Sequence, residues 1–174
     1  MLRPILAIAA VTSLAGCAAY GDLPTQRDGS AQLRFANGLP AGTVQLYQAG
    51  GELKISGAFA GMEQGAKGFH LHTVGLCEAP SFTSAGGHLN PTGNEHGTEN
   101  PLGSHLGDLP NLAIASNGTG NITATVSADP ETALEAIFDA DGSAVMIHAG
   151  PDDYTTDPAG DAGPRIACGV IDRS

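Results

Sequence analysis

Tryptophan is absent from this 174-residue chain and aromatic residues make up only 5% of it, whereas glycine numbers 25 and proline 11. A composition so poor in bulky rings and so rich in turn formers disfavours long helices and favours many short strands joined by ordered loops. Positive charge is scarce as well: 7 Lys and Arg stand against 18 Asp and Glu, for a formal charge of −11. That balance argues against recognition of DNA, RNA or anionic lipid through phosphate contacts, so nucleic acid is not expected as a partner. After the first seventeen residues no apolar run approaches the roughly eighteen that a spanning helix needs. The aliphatic content is nevertheless too high for a disordered chain. About 150 residues are left for folded structure, enough for one domain and too few for two cores.

The first seventeen residues read as an export signal. Met1-Leu2-Arg3 is followed by an apolar stretch from Pro4 to Leu14 and then by Ala15-Gly16-Cys17, the charged, apolar and small-residue order of a secretory leader. Leu14-Ala15-Gly16-Cys17 resembles the lipobox of bacterial lipoproteins, whose cysteine is lipidated and becomes the new N-terminus. The expected organisation is therefore a lipoprotein signal peptide over 1–17, a flexible tether over 18–30 and a single domain over 31–174. Removing Arg3 with the leader takes the charge from −11 to −12. The protein is expected on the periplasmic side of a bacterial envelope, joined to the membrane through a lipid on Cys17. Position 18 is Ala rather than Asp, which leans toward the outer membrane.

Three cysteines are an odd number for an exported protein. Lipidation of Cys17 removes the oddity and leaves Cys77 and Cys168, which in an oxidising compartment most economically pair; two separate buried thiols are the alternative. A bond between them would close a loop of about 90 residues and stabilise the fold by roughly 4 to 5 kcal/mol on the chain-entropy model.

From Ala31 onward, strand-length segments alternate with turn signals. Leu33 to Phe35 and Gly42 to Tyr47 flank Asn37-Gly38-Leu39-Pro40, and Glu52 to Phe59 alternates like a half-buried strand. Leu112 to Ala115 and Asn121 to Ser127 read as a hairpin around Asn117-Gly118. Ala144 to His148 reads as a buried strand, Arg165 to Ile171 as the closing one, and Ala133 to Phe138 as a short helical turn. Between His72 and Asn111 lies a long loop rich in Gly, Pro, Asn, Ser and Thr, and a second runs from Ala149 to Pro164. Loops of that length inside a compact domain are usually functional. The expected fold is all-β, an antiparallel sandwich or flattened barrel with two long functional loops.

The histidines are the strongest feature. There are six, at 70, 72, 88, 96, 105 and 148, and five of them fall between His70 and His105. On a strand His70 and His72 project from the same face, roughly 6.6 Å apart along the chain, and two such rings can converge on one metal. His88, His96 and His105 lie in the long loop with Asp108 three residues after the last. Three imidazoles and a carboxylate make a closed tetrahedral set for zinc, and a closed metal site also holds in place a loop that has no core of its own. A hydrolytic zinc site would need one of the four released for water, and no Glu stands beside the histidines as in His-Glu-x-x-His.

Gly68-Phe69-His70-Leu71-His72, Ser84-Ala85-Gly86-Gly87-His88-Leu89-Asn90-Pro91, His96-Gly97 and His105-Leu106-Gly107-Asp108-Leu109 resemble the copper/zinc superoxide dismutases in order and spacing. The likeness continues through Ile147-His148, Pro151-Asp152-Asp153 and Pro164-Arg165-Ile166-Ala167-Cys168-Gly169-Val170, and Leu109-Pro110-Asn111-Leu112 is similar to the bacterial branch. The resemblance implies a Greek-key β-sandwich. It also implies disproportionation of superoxide by one-electron cycling of a histidine-bound copper beside a structural zinc, one of each per chain. His70, His72, His88 and His148 would be copper ligands, with His88 bridging to a zinc held also by His96, His105 and Asp108. Asp152 would tie His70 to His96, Arg165 would guide the anion, and Cys77 and Cys168 would form the intrasubunit disulfide. The resemblance admits a homodimer. The chemistry agrees independently: imidazole suits copper in both oxidation states, while zinc cannot cycle. The competing expectation is a non-enzymatic metal-binding or scaffold member of the same fold, although such relatives typically lack copper ligands or the arginine. One departure concerns the loop from Ala149 to Asp161, which has no lysine; Lys67 is a candidate to replace that positive charge, an ordinary surface lysine being the alternative.

Overall fold

The computed structural model describes residues 26–126 and 129–174. The proposed signal and Cys17, the proposed lipidation site, lie outside them. Nine strands are present among the described residues: β1 Gln26–Phe35, β2 Pro40–Ala49, β3 Glu52–Phe59, β4 Gly65–Lys67, β5 Phe69–His72, β6 Leu112–Ile114, β7 Gly120–Val126, β8 Ala144–His148 and β9 Arg165–Arg173. Alternation builds the early ones. Val44 and Leu46 of β2 and Leu53, Ile55 and Phe59 of β3 point into the core, while Thr43 and Gln45 between them face solvent. The β2–β3 hairpin turns on Gly50-Gly51, with φ 64° and 79°. Two successive left-handed residues give the turn that matches strand twist, and glycine takes them without steric cost.

Seven strands form one antiparallel sheet in the order β5-β8-β9-β1-β2-β3-β7. A separate two-stranded ribbon, β4 with β6, lies between its two ends. β4 runs through Gly68 into β5 and β6 leads through a turn into β7, so the ribbon bridges the two edges and curls the sheet into a flattened barrel. One core fills it, built from aliphatic side chains with Phe59 and Phe69 edge to face at 5.8 Å.

Three sequence expectations are corrected by the structure. Gln26 to Ser30, assigned to the tether, belong to β1 and pair with β2 and β9. This stretch is polar and carries no alternation, so its ladder and not apolar burial makes it a strand. The Asn117-Gly118 turn forms, closed by the Gly118 N–H on Ala115 O at 2.9 Å, but its two arms part: β6 pairs with β4 and β7 with β3. The helical turn is a two-turn helix, α1 Pro130–Ile137, capped by Asp129, whose carboxylate accepts from the Thr132 N–H at 2.9 Å, with Pro130 in the first turn.

Candidate metal centre

β5 is buried on both faces. Phe69 and Leu71 belong to the barrel core, while His70 and His72 leave from the opposite side, where the long loop folds back over the strand. The Leu71 N–H donates to Gly107 O at 3.0 Å, the Leu89 N–H to Leu71 O at 2.8 Å and the Gly107 N–H to Leu89 O at 2.9 Å. These bonds set His88 opposite His72 and Asp108 opposite His70. β8 lies beside β5 and ends at a bulge where His148 pairs with Arg165, which re-aims His148 toward the same side.

Two clusters of potential ligands result. His70, His72, His88 and His148 form one, and His88, His96, His105 and Asp108 the other; in each, the ligand atoms lie within 4.8 Å of one another. Hydrogen bonds decide which nitrogen of each ring is free. His72 Nδ1 donates to Gly86 O at 3.0 Å and His148 Nδ1 to Gly163 O at 2.9 Å. His70 Nε2 donates to Asp152 Oδ2 at 2.6 Å. What remains are His70 Nδ1, His72 Nε2, His88 Nε2 and His148 Nε2, all buried and without a hydrogen-bond partner. Four buried lone pairs without partners are costly unless something electropositive meets them. An all-imidazole set of this kind fits copper.

In the second cluster Asp108 Oδ1 lies 2.8 Å from His88 Nδ1, 3.0 Å from His96 Nδ1 and 3.1 Å from His105 Nδ1. Its Oδ2 accepts from the backbone N–H groups of Gly97 at 2.9 Å and His105 at 3.0 Å, which pin the carboxylate. Three nitrogens and one oxygen, closed on themselves, fit tetrahedral zinc. His88 belongs to both clusters, Nε2 toward one and Nδ1 toward the other.

Asp152 joins the halves a second time. Its Oδ2 accepts from His70 and its Oδ1 from His96 Nε2 at 3.0 Å and from the Tyr154 N–H at 2.7 Å. Burial alone would raise this carboxyl, but the bonds from His70, His96 and Tyr154 outweigh it and hold it well below the usual range. For Asp108 burial is likewise outweighed by the contacts with His88, Gly97 and His105. The first cluster moves the other way: burial, with help from the neighbouring His88, pushes His70 and His148 down to about 4 and His72 to about 2. These rings are neutral at physiological pH, the form in which imidazole can ligate a metal.

Arg165 stands beside this cluster, close enough for its charge to lower His72 and His148 further. Its Nη1 donates to Phe82 O at 2.7 Å and its Nη2 to Gly86 O at 2.6 Å, so the segment that carries His72's carbonyl partner also clamps the guanidinium. That segment is tied to β9 by a disulfide between Cys77 and Cys168. Arg165 also lines a cleft of about 390 Å³ with Pro80, Ser81, Thr83, Gly163 and Pro164. Lys67 is placed elsewhere than a surface steering charge would be: it is 7% exposed and its Nζ donates to Ala149 O at 2.7 Å. The carbonyls of Gly86 and Gly163 escaped the sequence reading, because a carbonyl's role leaves no mark in residue identity.

A protein-family model described as copper/zinc superoxide dismutase matches residues 40–171. Over 147 residues the chain is 42% identical to superoxide dismutase [Cu-Zn] 2 of Aquifex aeolicus, covering 81% of this chain and 84% of that protein. Over 170 residues it is 35% identical to superoxide dismutase [Cu-Zn] of Caulobacter vibrioides, covering 95% and 98%. The solved structure of a superoxide-dismutase-like protein from Bacillus subtilis superposes with a TM-score of 0.76 at 36% identity, over 83% of this chain and 99% of that one.

Proposed function

The chain belongs to the copper/zinc superoxide dismutase family, and we propose that within it His70, His72, His88 and His148 hold the copper while His88, His96, His105 and Asp108 hold the zinc. The protein is an oxidoreductase: it converts two superoxide anions and two protons to oxygen and hydrogen peroxide, with copper and zinc as cofactors. When bound, copper supplies the one-electron cycling and zinc a fixed positive charge. The observation that carries the ligand assignment is the set of four buried, partnerless nitrogens on His70, His72, His88 and His148.

The chain's own residues do the rest. Gly86 O, Gly163 O and Asp152 fix the ring tautomers, so each lone pair faces the copper position without rearrangement. His88 has one nitrogen toward each cluster, which makes Nε2 the atom where this chain can take up and hand on a proton. Arg165, held by two carbonyls beside the first cluster, attracts and orients the anion over the last few ångströms. Copper and zinc content measured together with superoxide turnover of the mature domain tests this. One of each metal per chain is expected; zinc alone at any copper excess would overturn it, and would favour the non-enzymatic reading.

Cys17 carries the second part of the proposal: a lipid anchor holding the protein at the periplasmic face of the bacterial outer membrane, supported by the order of charged, apolar and small residues ahead of it. Cys17→Ser should shift the protein from the detergent phase to the aqueous phase while leaving the activity of the folded domain intact. An unchanged membrane-bound fraction would refute the anchor.

A further inference from the structure

Lys67 ends β4, where it pairs with Leu112 of β6, and Asn111 immediately precedes β6; both reach across to the same stretch of the second long loop. Lys67 Nζ donates to the carbonyl of Ala149, the residue after His148. Among the described residues this buried lysine makes no ion pair within reach of a carboxylate. Asn111 takes the other end. Its Nδ2 donates to Asp152 O and its Oδ1 accepts from the Asp152 N–H, both at 2.8 Å, so one side-chain amide pairs with a backbone as a strand would. The Asn111 N–H in turn donates to Tyr154 Oη at 2.9 Å.

The segment between those two grips follows directly on His148, which ends β8, pairs with Arg165 and donates its N–H to Gly68 O at 2.8 Å. Its remaining backbone bonds are Gly68 N–H on Gly150 O, Ala149 N–H on Pro164 O and Gly150 N–H on Ala162 O, the last two to the same irregular loop. β8 fixes His148 from its N-terminal side, and the chain that leaves it must be held by a second rigid element if the ring is to stay within the fractions of an ångström that ligation needs. The ribbon is that element, anchored in the barrel by the buried Leu112 and Ile114.

We propose that Lys67 and Asn111 are positioning residues with separate duties: Lys67 sets the backbone that carries His148 and so acts on copper, while Asn111 sets Asp152 and so acts on both metals. This rests on the assignment of His148 to copper and of Asp152 to His70 and His96. It gives the one buried lysine beside the centre a mechanical duty in place of steering.

The test is metal affinity by chelator competition on the mature, disulfide-bonded protein. Lys67→Met should weaken copper about tenfold, the scale of an outer-shell partner, and leave zinc within about twofold. Lys67→Arg, which keeps a cationic donor, should recover most of the loss. Asn111→Leu, near in shape, should weaken copper and zinc alike by about tenfold. It should also abolish the slow hydrogen exchange of the Asp152 amide, which the unaltered metal-loaded protein is expected to show. Equal changes in both metals for Lys67→Met, or none, would overturn the lysine's duty. An intact Asp152 amide in Asn111→Leu, or rapid exchange there in the unaltered protein, would overturn the asparagine's. If Lys67→Met does not fold, Lys67→Gln provides the copper-to-zinc comparison. His148→Ala separates the layers: if it leaves copper affinity unchanged, the ligand assignment itself fails. If it lowers that affinity while Lys67→Met does not, only the positioning proposal fails.

Discussion

Removing the carboxylate of Asp152 is the perturbation on which both halves of the centre depend. In Asp152→Ala two buried imidazole N–H groups, His70 Nε2 and His96 Nε2, lose acceptors at 2.6 and 3.0 Å. Each was a bond to an ionised oxygen, a class that contributes about 1.5–3 kcal/mol. Loss of such a partner typically lowers metal affinity by about 10–100-fold, which at about 1.4 kcal/mol per decade spans much the same range. The effect has a geometric origin as well. With Nε2 no longer obliged to carry the proton, His70 can shift to the tautomer protonated at Nδ1, and Nδ1 is the nitrogen without a partner that would face the copper. Copper and zinc affinities should therefore both fall, each by at least about tenfold. Asp152→Asn should be milder and uneven, since a single amide oxygen cannot accept from both rings at full strength. Competition against chelators of graded strength, one metal at a time with the other site filled, measures the two losses separately. If either affinity stays within twofold of the parent, the carboxylate does not orient that ring and the account of the shared tie is wrong.

Arg165→Ala should lower the second-order rate with superoxide at least several-fold at constant metal content. Arg165→Lys should fall between, because an ammonium cannot satisfy both Phe82 O and Gly86 O in one plane; pulse-generated superoxide decay at two ionic strengths checks it, and an unaltered low-salt rate would make Arg165 merely structural. Gly160→Ala should impair both metal sites, since a Cβ there would collide with Asp152 Oδ1 at φ +63°, whereas Gly93→Ala, at φ +69° with open space around it, should cost only backbone strain and keep both affinities. The metal-free protein should lose stability as pH falls through 6.5. His70, His148 and His72 stay neutral when folded down to about 4, 4 and 2, while the unfolded chain takes up protons from about 6.5, so the unfolded state is favoured by about 1.4 kcal/mol per pH unit per histidine. Denaturant titrations from pH 7.5 to 5 should show that slope, and a flat profile would mean the rings are not held neutral.

Much of this centre was legible in one dimension because ligand chemistry restricts residue type. Five histidines between His70 and His105, with Asp108 three residues beyond, could be read as metal donors before any fold was known. The alternation in β2 and β3 and the short strands toward the C-terminus were readable for a related reason: burial of one face imposes a period of two. Other features had no such signature. Gln26 to Ser30 form a strand through ladder bonds without an apolar alternation, and the arms of the Asn117-Gly118 turn go to different sheets because their better partners, β3 and β4, are distant in sequence. Which nitrogen of each ring is free was decided by the carbonyls of Gly86 and Gly163 and by Asp152, groups 14, 15 and 82 residues away from the histidines they hold. Lys67 shows the division most clearly. Its charge was visible in the sequence and suggested a surface role, but only the packing of the ribbon against the second loop buries it on Ala149 O. Residue identity sets what a side chain can donate, accept or ligate, and long-range backbone pairing decides what stands within 3 Å of it.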